Sequence, residues 1–121
     1  MNTPSITHTL HSAMSRYNTS NVKLPVHRYP PDGMPGIAWH QQGFYVVDGI
    51  VHCPEITQPL DDETTLGMRH AYQAAVTWLD HQLGTVLTEL DTLGLTATTL
   101  VVFHGDHGWQ TGEHNSWHKF T

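Results

Sequence analysis

Two patterns of apolar positions organise the second half of the chain. Between Leu66 and Leu93, apolar residues recur at Tyr72, Ala75, Val76, Leu79, Leu83, Val86, Leu87, Leu90 and Leu93. Steps of three and four place them on one helical face, so the spacing predicts a helix over about 62–93 that buries this stripe. Pro59-Leu60-Asp61-Asp62-Glu63-Thr64 marks its start. Either Asp61 or Asp62 suits the N-cap, and an acidic first turn suits the positive helix end. Gly94 follows the last periodic residue and suits the C-terminal cap. The pattern then changes: Leu100, Val101, Val102 and Phe103 run on without a polar break, which predicts a buried parallel strand over about 98–104. Helix, short polar linker and buried strand form half of a crossover unit, so the expected fold class is α/β.

The first half is differently built. Residues 1 to about 23 are rich in Ser, Thr, Asn and His without a period and read as loop. His8 and His11 fall in it and read as solvated. From Leu24 to Gly43 the chain is broken by Pro25, Pro30, Pro31 and Pro35, with Pro30-Pro31-Asp32-Gly33 as a turn signal. Gly43 to Val51 suits a short hairpin about Asp48-Gly49. The expected organisation is an irregular, Pro-rich region over 1–60 and a helix, strand and polar loop over 61–121.

Composition narrows the options. The formal net charge is −6, and eleven histidines stand against five Lys and Arg. No basic stripe exists to meet a phosphate backbone, which argues against nucleic-acid binding. No apolar run approaches the ~18 residues of a membrane span, and the N-terminus has no apolar signal core. The lone Cys53 excludes an internal disulfide and reads as a small buried hydrophobe. Asn18-Thr19-Ser20 fits a glycosylation acceptor. With 121 residues, one clear helix and one clear strand, an independent core is not expected.

The chemistry gathers after the strand. Asp106 and His107 stand just past the last apolar residue, between Gly105 and Gly108. In open α/β sheets ligands collect beyond the carboxyl ends of strands. A hard carboxylate oxygen and an imidazole nitrogen suit a divalent cation, although two ligands do not hold one alone. A different reading takes His104, His107, His114 and His118 as a transition-metal-binding module. Their spacing of three, seven and four fits no zinc motif.

Two segments resemble a known family. Tyr72-Gln73-Ala74-Ala75-Val76-Thr77-Trp78-Leu79-Asp80-His81-Gln82-Leu83-Gly84 resembles a helix of the sulfatases, in the alkaline-phosphatase-like superfamily. Phe103-His104-Gly105-Asp106-His107-Gly108-Trp109-Gln110-Thr111-Gly112-Glu113-His114 resembles their Ser-Asp-His-Gly-x-x-Leu-Gly-Glu-His-Gly motif, and Trp117 and Lys119 continue the match. The tryptophan after Asp-His-Gly is most like the iduronate-2-sulfatase type. The sequence departs from the motif at His104-Gly105, at Thr111 and at Asn115, the last a residue that tolerates the left-handed backbone glycine often fills.

The resemblance implies an internal fragment of a sulfatase sandwich and a sulfuric ester hydrolase activity. It implies calcium held by Asp106 and His107, with an aspartate pair and a formylglycine that this chain does not supply. Asp61 and Asp62 sit at a helix start and read as capping. Cys53 precedes Pro54 directly and does not fit the family's Cys-x-Pro-x-Arg pattern. Lys119 would be catalytic and contact the sulfate, His114 would be substrate-binding, and Asp80 would be structural. The expected partner is a sulfate ester such as a sulfated sugar, in a lysosomal, secreted or periplasmic setting. The chain alone is expected to be inactive. Beside the transition-metal-binding module, a related metal-dependent phosphatase is a further alternative, against which the Gly112-Glu113-His114 continuation argues.

Overall fold

The computed structural model describes residues 14–15, 18–38, 57–117 and 119. The expected hairpin over 43–51, Cys53, His8, His11 and His118 lie outside them. The chain divides into two compact units, Met1–Asn21 with His70–Gly105, and Val22–Arg69 with Asp106–Thr121. One helix, α1 (Asp62–Thr92), is shared by both.

The ends of α1 follow from their local chemistry. Asp61 is the N-cap: its Oδ1 accepts the Thr64 backbone N–H at 2.8 Å and its Oδ2 accepts the Thr64 hydroxyl at 2.8 Å. Its own carbonyl accepts the first helical bond, from Thr65 N–H at 3.0 Å. These donors, the Thr64 backbone N–H first, hold the Asp61 carboxyl below the usual aspartate range. At the other end Gly94 takes φ 68°. Leu95 N–H donates to the Leu90 carbonyl and Gly94 N–H to the Asp91 carbonyl, both at 2.9 Å, which is the Schellman closure.

Burial departs from the periodicity. Ala74 is fully buried, whereas Tyr72, Val76, Leu79, Val86, Leu87 and Leu93 on the expected stripe are exposed. A helical stripe is buried only when a second layer covers it, and no sheet is present among the described residues. The strand expected over 98–104 differs for the same reason. Thr96–Thr98 is a 3₁₀ turn, and residues 99–105 carry no ladder. Leu100 is 88 % exposed and Val102 75 %. Thr99 is extended, at φ −114° and ψ 122°. β-Branched residues favour that backbone, but a strand is completed by a neighbour, and none pairs with this segment among the described residues.

In the Val22–Arg69 and Asp106–Thr121 unit, side chains do the joining. Arg28 pairs with Asp62 at the start of α1 and donates to the Leu60 carbonyl. Arg69 donates to the Thr111 carbonyl at 2.8 Å. Val22, Pro25, Gly112 and Trp117 are buried. The turn expected at Pro30-Pro31-Asp32-Gly33 forms one residue later: Met34 N–H donates to the Pro31 carbonyl at 3.1 Å, with Gly33 at φ 76°. No helix among the described residues is long and apolar enough to cross a membrane.

Candidate functional site

Asp106 and His107 are brought together. The backbone N–H of His107 donates to Asp106 Oδ1 at 3.1 Å, folding the carboxylate back along the chain. The other oxygen, Oδ2, then lies 3.3 Å from His107 Nε2. On the far side of the ring, Nδ1 is 2.9 Å from the Gly108 carbonyl oxygen. A carbonyl can only accept, so this contact places a proton on Nδ1. Nε2 then meets the carboxylate either as a second N–H or as a lone pair. A neutral ring therefore sets two electron-rich atoms side by side, an arrangement that a shared cation relieves. Both side chains reach solvent, Asp106 the more so.

This donor set fits a divalent cation: one hard anionic oxygen and one imidazole nitrogen, the latter with its second nitrogen held by a backbone carbonyl. It supplies two ligands. Among the described residues no three His, Cys, Asp or Glu side chains converge on one point. The described histidines of the transition-metal reading are engaged separately. His104 Nδ1 contacts the Gly105 carbonyl at 3.3 Å, His107 faces Asp106, and His114 faces residues 27 and 29.

His114 lies in a second cluster of the same unit, on the turn Glu113–Asn115. Gly112 enters that turn at φ 100°, and its N–H donates to the Ser116 carbonyl at 2.8 Å. His114 and Asn115 follow at φ 53° and φ 60°. Asn115 thus adopts the left-handed backbone for which its residue type is suited. His114 is less suited, a strain of about 1–2 kcal/mol. Its own bonds offset that strain. His114 N–H donates to the His27 carbonyl, its ring stacks on the His27 ring with centroids 5.5 Å apart, and its Nδ1 contacts the Tyr29 carbonyl at 3.3 Å.

Glu113 fixes the same two stretches to each other. Its Oε1 accepts Val26 N–H and its Oε2 accepts His27 N–H, each at 3.0 Å. These donors, His27 N–H first, hold the Glu113 carboxyl below the usual glutamate range, and the positive charge of Arg69 adds to them. Glu113 stands within the sulfatase-like motif without an expected role of its own, and His27, Arg28 and Arg69 stand outside any motif. The available signal was the scarcity of Lys and Arg, five in the chain, which makes each placed cation worth asking about. Lys119 is exposed, two residues beyond the buried Trp117.

Residues 7–121 match the family model described as Sulfatase. The chain belongs to the sulfatase family. Relatives include iduronate 2-sulfatase of Homo sapiens, 34 % identical over 110 residues, and that of Mus musculus, 32 % identical over 108 residues. Each alignment takes in 87 % of this chain and 20 % of the relative, so the sulfatase chain spans about a fifth of their length. A multifunctional alkaline phosphatase superfamily protein, PehA of Trinickia caryophylli, is 39 % identical over 56 residues, 46 % of this chain and 11 % of that protein. Sulfatase membership implies an alkaline-phosphatase-like α/β fold, of which the described residues hold one long helix and no strand.

Proposed function

We propose that this sulfatase chain supplies part of the metal and sulfate site of a sulfuric ester hydrolase. The supporting observation is the approach of Asp106 Oδ2 to His107 Nε2 at 3.3 Å, with Nδ1 tied to the Gly108 carbonyl. Asp106 and His107 are the ligands of a divalent cation, calcium by family resemblance. When bound, the cation neutralises sulfate oxygens. Lys119 presents a compact ammonium with three donors to the tetrahedral anion. His114, with Nδ1 directed at a backbone carbonyl, keeps Nε2 for a substrate oxygen. The substrate class is a sulfate ester, and the iduronate 2-sulfatase relatives favour a sulfated sugar. Cys53-Pro54-Glu55 is not a Cys-x-Pro-x-Arg segment, so the chain by itself carries no formylglycine acceptor of that pattern and is inactive alone.

Terbium binding tests this reading, because Trp109 lies three residues from Asp106 and can sensitise the ion. Calcium should displace terbium, Asp106→Asn and His107→Ala should each weaken binding tenfold or more (about 1.4 kcal/mol), and Lys119→Ala should not. Binding that is indifferent to Asp106 and His107 refutes it. A second reading, hydrolysis of phosphate esters, is prompted by the superfamily that the name of the PehA relative prints, that of alkaline phosphatase. A protein containing this segment should cleave an aryl sulfate faster than the matching aryl phosphate; the reverse order selects the second reading.

A further inference from the structure

We propose that Asn18 is a site of N-linked glycosylation. The chain contains one Asn-x-Ser/Thr triplet with no proline in the middle, Asn18-Thr19-Ser20. Asn2 is followed by Thr3-Pro4, Asn21 by Val22-Lys23 and Asn115 by Ser116-Trp117, and Asn115 is buried besides. A triplet alone says only that the acceptor is allowed. The structure adds its conformation and its access.

Asn18 and Ser20 are both exposed. The Ser20 backbone N–H donates to Asn18 Oδ1 at 3.0 Å, and the Ser20 hydroxyl donates to the same oxygen at 2.8 Å. This is an Asx turn with the hydroxyl added. Two donors on one amide oxygen draw charge towards it and make the amide N–H more acidic. The trigonal geometry of the amide turns Nδ2 away from Ser20. Among the described residues Nδ2 makes no hydrogen bond. The segment is closed by a local bond, Asn21 N–H to the Asn18 carbonyl at 2.9 Å, and a bulky sugar leaves that bond intact.

The donor class is a lipid-linked diphospho-oligosaccharide. The Asn18 Nδ2 to sugar C1 bond forms, the C1 to phosphate-oxygen bond breaks, the amide gives up one proton and the lipid diphosphate leaves. No oxidant or reductant is consumed. The proposal stands apart from the sulfatase chemistry, since its readout is a mass on Asn18 and not turnover.

The full chain, led into the secretory pathway of a eukaryotic cell by a cleavable leader, provides the test. The secreted protein should lose the mass of one glycan on treatment with peptide N-glycosidase, and Asn18 should emerge as Asp carrying the label when heavy-oxygen water is used. Asn18→Gln and Ser20→Ala should each abolish the shift, while Ser20→Thr keeps it. Where a variant is retained in the cell, the same chain translated into microsomes gives the same readout on the protease-protected fraction without requiring secretion. A translocated wild-type chain whose mass is unchanged by the glycosidase, or whose label falls elsewhere, overturns the proposal.

Discussion

Replacing Glu113 by alanine removes a carboxylate that joins two stretches more than eighty residues apart in sequence. Oε1 and Oε2 each accept one backbone N–H at 3.0 Å, from Val26 and His27. A hydrogen bond to a charged acceptor is worth about 1.5–3 kcal/mol when buried, and less where water competes. Val26 and His27 are both exposed, so water takes over part of each bond once the carboxylate is gone. The net loss for the pair is therefore about 1–3 kcal/mol, a roughly 5- to 150-fold rise in local opening. Hydrogen exchange at the Val26 and His27 amides measures that opening directly, with the Ala74 region of α1 as the internal reference.

Acid provides an independent arm. The folded pKa of Glu113 lies below its ordinary value of 4.5, so the carboxylate contribution is complete above that value and is lost as pH falls through the lower folded value. Compared at each pH, the wild-type protection should converge on that of Glu113→Ala in acid. Unchanged exchange at Val26 and His27, or equal deprotection of the α1 interior, would show that Glu113 does not act as a local latch.

Other substitutions probe the same scaffold. Gly112→Ala meets both a positive φ of 100° and a Cβ placed 2.8 Å from Trp117 Cζ2 and 2.9 Å from Pro25 Cγ. Strain and overlap should cost about 2–4 kcal/mol together, read by denaturant unfolding with tryptophan fluorescence. Gly84→Ala meets nothing within 4 Å inside α1, and should stabilise the helix by about 0.5–1 kcal/mol, seen as a higher melting midpoint. Gly94→Ala has the same open surroundings but a φ of 68°, and should destabilise by about 1–2 kcal/mol. Asp61→Ala should lower the helical circular dichroism signal at neutral pH. The wild-type signal should approach that of the variant in acid, because the Asp61 pKa is lowered and its capping contribution is lost as pH falls through it.

The helix was readable because its causes are local. Apolar steps of three and four, Asp61 with Thr64 one turn on, and Gly94 past the last apolar residue mark an element that closes its own hydrogen bonds. Val101 to Phe103 carry an equally plain β signal, but a strand depends on a neighbour, and no pattern within the run states whether one is there. That Asp106 and His107 are neighbours is given by the chain itself, whereas the 3.3 Å approach of Oδ2 to Nε2 depends on the loop backbone, on which no periodicity reports. The pairing of His27 with Glu113 was not legible either: their contact spans 86 residues. Asn115 shows the intermediate case, where the residue type announced a left-handed backbone and φ 60° carries it.

The open run from Leu100 to Phe103 has a consequence for handling the protein. With Thr98 and Thr99 it forms six residues without charge or proline, rich in β-branched and aromatic side chains, and residues 99–103 carry no ladder among the described residues. Such a stretch is adhesive towards copies of itself. Concentrated samples should grow thioflavin-positive fibrils from this point, and Val102→Lys, within the run, should act as a gatekeeper that delays them while the α1 signal stays unchanged.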